Sequence, residues 1–213
     1  MEVEMKAKIS MQQVYDLLDG KFEKFRISRG GGWHAIHKVD AYYSFGGIAP
    51  KKPKDIIRVR SEALVDPAYP VEDIVRQHYN FKIDENFKSF LTVKAKNTEA
   101  DGTEVNEEYE GELNIDATNA FLRAMEVTNF KQWFRKVKTS ISFYVEEIST
   151  NREIHCEIVT VNEIGPFLEV ECVIDDPNAA KAASSTIKKF FKTALGITDF
   201  EKRDWPTIIE QGS

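Results

Sequence analysis

The sequence contains short stretches in which like-charged side chains recur two residues apart. In the first, residues 2–9, the even positions are charged and the odd positions are apolar, which is the period of a half-buried strand. The charged positions are two carboxylates, Glu2 and Glu4, followed by two ammonium groups, Lys6 and Lys8. Carboxylates bind hard cations and ammonium groups bind phosphate oxygens, so this face could hold a cation at one end and a polyanion at the other. For one strand alone, a solvated charged edge is the simpler explanation.

The pattern recurs along the chain, and the signs segregate by strand. Carboxylates alternate at Glu2, Glu4, Glu108, Glu110, Glu112, Glu169 and Glu171, and cations at Lys6, Lys8, Arg58, Arg60, Lys94, Lys96, Lys136 and Lys138. The polar face of an ordinary one-sided sheet is solvated and mixes both signs. If the sheet closes with the charged face inward, it forms a polar tunnel that must hold ions and a ligand, because unpaired buried charges are too costly.

Strands outnumber helices among the elements that must position these groups. Alternation predicts strands near 2–9, 34–45, 55–63, 90–96, 108–115, 130–145, 155–162 and 167–174, the 130–145 segment being one bent strand or a strand pair. Helices are predicted after a Ser10 cap, after an Asp116 or Thr118 cap, and from Asp176 to about Leu195. A loop is predicted at residues 30–32 and a hairpin turn at residues 100–103. Residues 65–87 are predicted to form an insertion with a short helix around 71–78. The tail, residues 197–210, is predicted to be an extended or irregular segment that covers the barrel.

Composition narrows the class of protein. The 213 residues are 42% hydrophobic and 30% charged, with no linker that would divide them, so we expect one domain over 1–213. The net charge of −6 disfavours binding of duplex nucleic acid. Two cysteines are too few for a disulfide scaffold, and no window is apolar enough to span a membrane. We therefore expect a soluble, cytoplasmic protein.

Motifs in a fixed order carry a resemblance to a known family. Glu2-Val-Glu4-Met-Lys6 resembles the E-x-E-x-K opening motif of the CYTH superfamily, the triphosphate tunnel metalloenzymes. The resemblance continues through Asp40-Ala-Tyr42-Tyr43, Arg58-Val-Arg60, Leu91-Thr-Val-Lys94, the Glu108/Glu110/Glu112 strand, Lys136-Val-Lys138 and Gly165-Pro-Phe-Leu-Glu169-Val-Glu171. One motif would be weak evidence, but seven in the family's order make the resemblance specific. It implies an α+β fold, in which a closed eight-stranded antiparallel β-barrel has its helices packed outside.

The resemblance also implies a set of site residues and a ligand. Metal ligands would be Glu2, Glu4, Glu169 and Glu171, with Glu110 and Glu112 as helpers, and Glu2, Glu4 and Lys6 would form the catalytic group. Phosphate would be bound by Lys6, Arg58, Arg60, Lys94, Lys136 and Lys138. The cofactor would be Mg²⁺ or Mn²⁺, and the partner a nucleoside or other triphosphate substrate. The protein is expected to be a monomer or a homodimer.

Two departures from the family pattern concern the substrate more than the fold. The acidic residue expected in the strand before the Gly165 motif has no clean match, although Glu157 and Asn162 lie nearby. Lys138 stands where the family often has arginine, so a bidentate phosphate contact would be lost.

The residues leave three functions open. Residues 195–205 and Glu4-Met-Lys6-Ala-Lys8 are similar to the class IV adenylate cyclase branch, which favours conversion of ATP to cyclic AMP and pyrophosphate. The alternatives are a triphosphatase that hydrolyses the terminal phosphate of a nucleotide, thiamine or inorganic triphosphate, and a non-catalytic nucleotide- or polyphosphate-binding module.

The remaining candidate residues favour structural interpretations. His34 and His37 lack a third zinc ligand, and Cys156 and Cys172 suit small buried positions. The tryptophans at 33, 133 and 205 could stack on a base, but core or rim packing is the simpler expectation. Two interpretations are equally suitable for Asp40 and Tyr42. They either support the site residues from behind or are ordinary parts of a strand.

Overall fold

The computed structural model describes residues 1–28, 32–49, 55–78, 88–95 and 103–211. In that part of the chain the strands are β1 (Glu2–Lys8), β2 (Phe25–Ile27), β3 (His34–Phe45), β4 (Asp55–Leu64), β5 (Lys88–Ala95), β6 (Glu104–Leu113), β7 (Phe130–Glu147), β8 (Arg152–Val161) and β9 (Ile164–Val173). The helices are α1 (Met11–Asp19), α2 (Val71–Val75), α3 (Ile115–Val127), α4 (Ala180–Leu195) and α5 (Trp205–Gln211). The predicted loop at 30–31, the hairpin turn at 100–102, Lys96 and residues 79–87 of the insertion lie outside the described residues.

The strands close into a barrel. Each neighbouring pair is antiparallel, in the order β7-β3-β4-β5-β6-β1-β9-β8, and pairing of β8 back onto β7 completes a ring of eight strands. The short strand β2 adds to the outer part of β7. The prediction of a closed eight-stranded antiparallel barrel with helices outside is therefore confirmed.

The barrel is apolar outside and charged inside, as the alternation in β1 predicts. Val3, Met5 and Ala7 are buried in the main hydrophobic core, which lies between the barrel and the helices. The intervening residues Glu2, Glu4 and Lys6 line the barrel interior instead. Because strand side chains alternate between faces, one strand serves both the core and the cavity.

The helices that cover the apolar face begin and end at the expected signals. Ser10 caps α1 in a capping box with Gln13, and Gly20 ends it in the left-handed conformation. The helix α4 packs against β1, β8 and β9 through Ala183, Ile187, Phe190 and Phe191, all fully buried. Within the described residues, no helix is long and apolar enough to cross a membrane.

Three local features differ from the sequence-based predictions. Asn114, rather than Asp116 or Thr118, caps α3, because its side chain accepts the backbone N–H of Ala117. The strand β2 was not predicted, because three residues are too few to show the two-residue alternation of a strand.

The third difference is the tail, where residues 205–211 form the helix α5 instead of an irregular cover. Asp204 caps this helix by accepting the N–H of Thr207, and Pro206 lies in its first turn. Trp205 and Ile208 pack on Phe167, Val159 and Val161, which form an apolar patch on the inner face of β8 and β9. The charged inner face therefore becomes apolar where α5 covers it.

Candidate functional site inside the barrel

The barrel encloses a cavity of about 430 Å³ with a strongly charged lining. Its seven cationic residues are Lys6, Lys38, Arg58, Arg60, Lys94, Lys136 and Lys138. Its ten acidic residues are Glu2, Glu4, Glu62, Glu104, Glu108, Glu110, Glu157, Glu169, Glu171 and Asp204. Carboxylates therefore outnumber cations in the lining, and the cavity has room for additional positive charge.

Three carboxylates surround one ammonium group in the acidic part of the cavity. Nζ of Lys94 lies 3.1 Å from Glu2, 3.6 Å from Glu4 and 3.0 Å from Glu108. Strand pairing explains the convergence, because Lys94 on β5 is directly opposite Glu108 on β6, and β6 pairs with β1. Lys94 thus occupies a position where a cation is held by oxygen ligands.

Lys94 does not neutralise this cluster. Burial raises the pKa of Glu2 to about 7 despite the opposing charge of Lys94, and Glu171 and Glu108 add to the rise. Burial also raises the pKa of Glu4, which Lys94 offsets only in part. Carboxylates with raised pKa values bind a proton readily, and a divalent cation would compete for the same oxygens.

Asp40 organises the cationic side of the cavity. Its carboxylate is fully buried and accepts Nε of Arg60 at 2.7 Å, while Nζ of Lys136 lies at 3.1 Å and Arg58 at 3.9 Å. Arg60 on β4 and Lys136 on β7 are the two residues directly opposite Asp40 on its neighbouring strands. Burial would raise the pKa of Asp40, but Arg60, Lys136 and Arg58 hold it well below its usual range. Asp40 therefore stays ionised and holds Arg60 and Lys136, with Arg58 close by.

A second buried network holds Lys138. Its Nζ lies 2.6 Å from Glu157 and 2.6 Å from Glu169, and Lys38 lies 2.5 Å from the other oxygen of Glu157. Trp205 of α5 donates its indole N–H to the remaining oxygen of Glu169 at 2.7 Å. Burial would raise the pKa of Glu169, but Lys138 outweighs this effect and lowers it to about 2. Both oxygens of Glu169 are thus already engaged.

Glu171 is held by a histidine. Nδ1 of His155 lies 2.8 Å from Oε1 of Glu171, and Nε2 lies 2.5 Å from the hydroxyl of Ser142. Tyr144 stacks on the imidazole with a centroid distance of 4.5 Å. The imidazole therefore fixes one oxygen of Glu171 at the edge of the cavity.

The structure brings together all but one of the residues predicted for the site. Glu2, Glu4, Lys6, Arg58, Arg60, Lys94, Glu110, Lys136, Lys138, Glu169 and Glu171 all line the cavity. Glu112 does not line it: the side chain is exposed and lies 3.6 Å from Lys88. Glu110 contacts Arg58 at 3.2 Å instead of joining the carboxylates around Lys94. Neither placement supports the helper role in metal binding.

Several lining residues were absent from the predicted set. Lys38 and Glu157 are buried and form an ion pair with one another. Strand alternation could have indicated both, because Lys38 lies two residues before Asp40 on β3 and Glu157 two residues after His155 on β8. Of Glu157 and Asn162, the two residues near the acidic position that the family pattern expects, Glu157 lines the cavity. Glu108 was recognised as part of a charged strand, but its place beside Lys94 depends on strand register.

The donor chemistry fits a small divalent cation that keeps much of its water. Among the described residues, no three acidic, histidine or cysteine side chains form a preorganised metal-binding group. Mg²⁺ does not need such a cage, because it is typically bound by one or two carboxylates, water and substrate phosphate. Glu2, Glu4 and Glu171 would hold the ion, and Glu108 is better placed than Glu169, whose oxygens are engaged.

Comparisons with known proteins agree on the fold. No protein-family model matches the sequence, and no curated protein does. A protein from Pyrococcus horikoshii OT3 matches over the whole of both chains with a TM-score of 0.68 and 20% identity. A protein from Hippeastrum, named as a proposed adenylyl cyclase with a dominant triphosphatase activity, matches all of this chain and 96% of its own with a TM-score of 0.57 and 14% identity.

A third solved structure is a proposed adenylate cyclase from Vibrio parahaemolyticus. It matches 98% of this chain and 97% of its own, with a TM-score of 0.59 and 13% identity. At such identities the likeness concerns the fold. The chain therefore shares the fold of these three structures.

Proposed function

We propose that this protein is a divalent-metal-dependent enzyme that acts on a triphosphate inside the barrel. The observation that carries the proposal is the division of the barrel cavity into a carboxylate cluster around Lys94 and a cationic wall anchored by Asp40. The order of motifs along the chain and the shared fold support the same function.

The charge balance explains why a metal would be required. A lining with more carboxylates than cations repels a free polyphosphate, although Arg58, Arg60 and Lys136 point into the cavity. A divalent ion at the carboxylate cluster would reverse that balance, neutralise phosphate oxygens and polarise the phosphorus under attack. Without it, the cations remain bound to their own carboxylates.

The residues of the chain divide the remaining work. Arg58, Arg60, Lys136 and Lys138 would bind and orient the phosphate chain, and Asp40, Glu157 and Glu169 hold them in place beforehand. Lys6 is buried on the same face of β1 as Glu4 and would bind phosphate next to the metal. Lys8 is exposed and is not part of this set.

The first candidate reaction is cyclisation of ATP to cyclic AMP and pyrophosphate. Similarity of the tail to the class IV adenylate cyclase branch favours it, and in the structure this tail reaches the cavity through Asp204, Trp205 and Pro206. The second candidate is hydrolysis of the terminal phosphate. It is favoured by the Hippeastrum structure, whose name assigns a dominant triphosphatase activity to a proposed cyclase of the same fold.

Product analysis separates these reactions. Purified protein is incubated with ATP and Mn²⁺ or Mg²⁺, and the products are resolved by chromatography. Cyclic AMP with pyrophosphate identifies the cyclase, and ADP with phosphate identifies the triphosphatase. Binding of ATP without any product would contradict an enzymatic function and leave the binding module.

A substitution in the carboxylate cluster tests the metal site. Glu4→Ala should abolish metal-dependent turnover while the protein stays folded, because it removes a metal ligand and not a core side chain. The matched control is Glu107→Ala, an exposed glutamate next to Glu108 on β6, which should keep wild-type activity. Circular dichroism of both variants checks the fold. Full activity of Glu4→Ala would refute the assignment.

A further inference from the structure

An aromatic cluster lies at the barrel end where β3 ends and β4 and β7 begin. The Tyr42 ring centroid is 6.1 Å from that of Trp133 and 5.4 Å from that of Phe134, and the Trp133 and Phe134 rings are 5.5 Å apart. We call these three residues the aromatic shelf. Tyr42 and Trp133 both line the cavity.

A strand irregularity points Trp133 inward. Along β7 the even-numbered residues Lys136 and Lys138 face the cavity, so alternation would turn residue 133 outward. The pairing of β3 with β7 shifts here, since Tyr42 is opposite Phe134 but Tyr43 is opposite Gln132. Trp133 is the extra residue of this β-bulge. Bulges disrupt the ladder and often re-aim a side chain beside an active site.

The shelf adjoins the cationic wall. Nζ of Lys136 lies 5.7 Å from the centre of the Tyr42 ring, and the Tyr42 hydroxyl donates to Asp40 at 3.3 Å. Ile56 on β4 adds an apolar side chain to the same end of the cavity. A ligand whose phosphates contact Arg58 and Lys136 would therefore present its other end to an aromatic and aliphatic surface.

We propose that Trp133 stacks on a planar aromatic group attached to the triphosphate, so that the cavity selects an organic triphosphate such as a nucleotide over inorganic polyphosphate. This inference rests on the proposed function, because the phosphate chain must occupy the cationic wall for the ring to reach the shelf. The stacking of Trp133 would recognise the ring, which is the part of the ligand that the charged residues do not contact.

The chemistry of the shelf suits a ring better than more phosphate. Phosphate next to Ile56 and the aromatic faces would lose water without gaining donors. A nucleobase has an apolar face that stacks on tryptophan, and the interaction tolerates any base because each has a π-face. The shelf therefore predicts selection for an aromatic ring without strong selection among bases.

Two ligands separate the shelf from the phosphate site. Affinities for adenosine 5′-(β,γ-imido)triphosphate and for inorganic tripolyphosphate are measured by isothermal titration calorimetry in Mg²⁺. The variants are Trp133→Ala, Trp133→Phe and the control Phe45→Ala, an exposed aromatic residue that packs on Phe130 at the same barrel end and does not line the cavity.

The expected result is selective. Trp133→Ala should weaken the nucleotide analogue by about fivefold or more, as loss of base stacking does elsewhere, and leave tripolyphosphate affinity unchanged. Trp133→Phe should recover much of the loss, and Phe45→Ala should behave as wild type. Equal weakening of both ligands, or of neither, would overturn the proposal while leaving the phosphate site intact. Failure of the wild-type protein to bind either ligand would instead overturn the proposed function, and the stacking proposal with it.

Discussion

Replacing Asp40 with asparagine should destabilise the protein strongly and in a ligand-dependent way. The Asp40 carboxylate is inaccessible to solvent and faces Arg60 at 2.7 Å, Lys136 at 3.1 Å and Arg58 at 3.9 Å. Asp40→Asn keeps the size of the side chain and removes its charge. Arg60 and Lys136 then lose their nearest counterion, whereas Arg58 keeps Glu108 and Glu110, each at 3.2 Å.

The expected magnitude follows from burial. Removing one partner of a buried ion pair typically lowers the free energy of unfolding by about 3–5 kcal/mol, because the other charge stays buried without compensation. For a domain of this size, such a loss lowers Tm by roughly 6–20 °C. The matched control is Asp19→Asn, which removes a solvent-exposed pair with Lys21 at 2.8 Å and should leave Tm almost unchanged.

The assay is thermal unfolding followed by circular dichroism, with and without tripolyphosphate and Mg²⁺. Phosphate should replace the missing negative charge, so ligand should raise the Tm of Asp40→Asn more than that of the wild type. The pH dependence has a defined sign. Because the folded protein lowers the pKa of Asp40, its stabilising effect is present above about pH 4, the usual value in an unfolded chain, and is lost as the pH falls further.

Two results would refute this reasoning. If Asp40→Asn unfolds at the wild-type temperature, the buried carboxylate is not needed to balance the cationic wall. If phosphate stabilises the variant no more than the wild type, the three cations do not form the phosphate-binding wall. Neither result would affect the barrel fold.

Three further predictions concern the carboxylate cluster, the Gly165 motif and α5. Folding raises the pKa of Glu2 to about 7, so the contribution of Glu2 to stability is present at acidic pH and is lost as the pH rises towards 7. Because the ionised carboxylate binds the metal, Mg²⁺ should raise Tm more at pH 8 than at pH 5.5. An equal rise in Tm at both pH values would contradict the metal site. Gly165→Ala should destabilise the protein, measured by urea unfolding, since a Cβ there would lie 2.7 Å from Oγ1 of Thr160 and 2.9 Å from the carbonyl oxygen of Val159. Trp205→Phe should keep the packing on Phe167 but lose the hydrogen bond to Glu169. The free energy of unfolding, measured in the same assay, should fall by about 1.5–3 kcal/mol. An unchanged free energy of unfolding would show that this hydrogen bond is dispensable.

Much of the architecture was predictable from alternation, because the period-2 pattern fixes which face of each strand is charged. The segregation of carboxylates and cations by strand indicated a closed sheet with a polar interior. Twelve of the lining charges follow directly from that alternation, as in Arg58 and Arg60 or in Glu169 and Glu171. Alternation also predicts that Glu112 faces the interior, but the end of β6 that carries Glu112 extends beyond the cavity. How far β6 extends past its neighbouring strands depends on strand register, which alternation does not give.

Other features depend on information that a sequence pattern lacks. The contact of Lys94 with Glu2 depends on the pairing of β1 with β6, two strands that are far apart in sequence, and the contact with Glu108 depends on the register of the β5–β6 hairpin. Trp133 faces the cavity only because a bulge shifts the phase of β7, and no residue type demands a bulge there. The helix α5 was missed because it is short and lacks a full amphipathic period, although Asp204 and Pro206 mark its beginning.

The position of β1 in the ring has a consequence for how the site is assembled during folding. Glu4 on β1 pairs with Glu104 on β6 and with Glu171 on β9, the last strand of the barrel. Contacts between segments so distant in sequence form slowly, since a long loop must be ordered before they are made. The hairpins from β3 to β6 join neighbouring segments of the chain, and β1 can pair with β6 once β6 is present, but the other neighbour of β1, the strand β9, comes later in the chain. The proposed metal ligand Glu171 on β9 therefore joins Glu2, Glu4 and Glu108 only when the ring closes, so a nascent chain that ends before residue 164 lacks part of the proposed metal site.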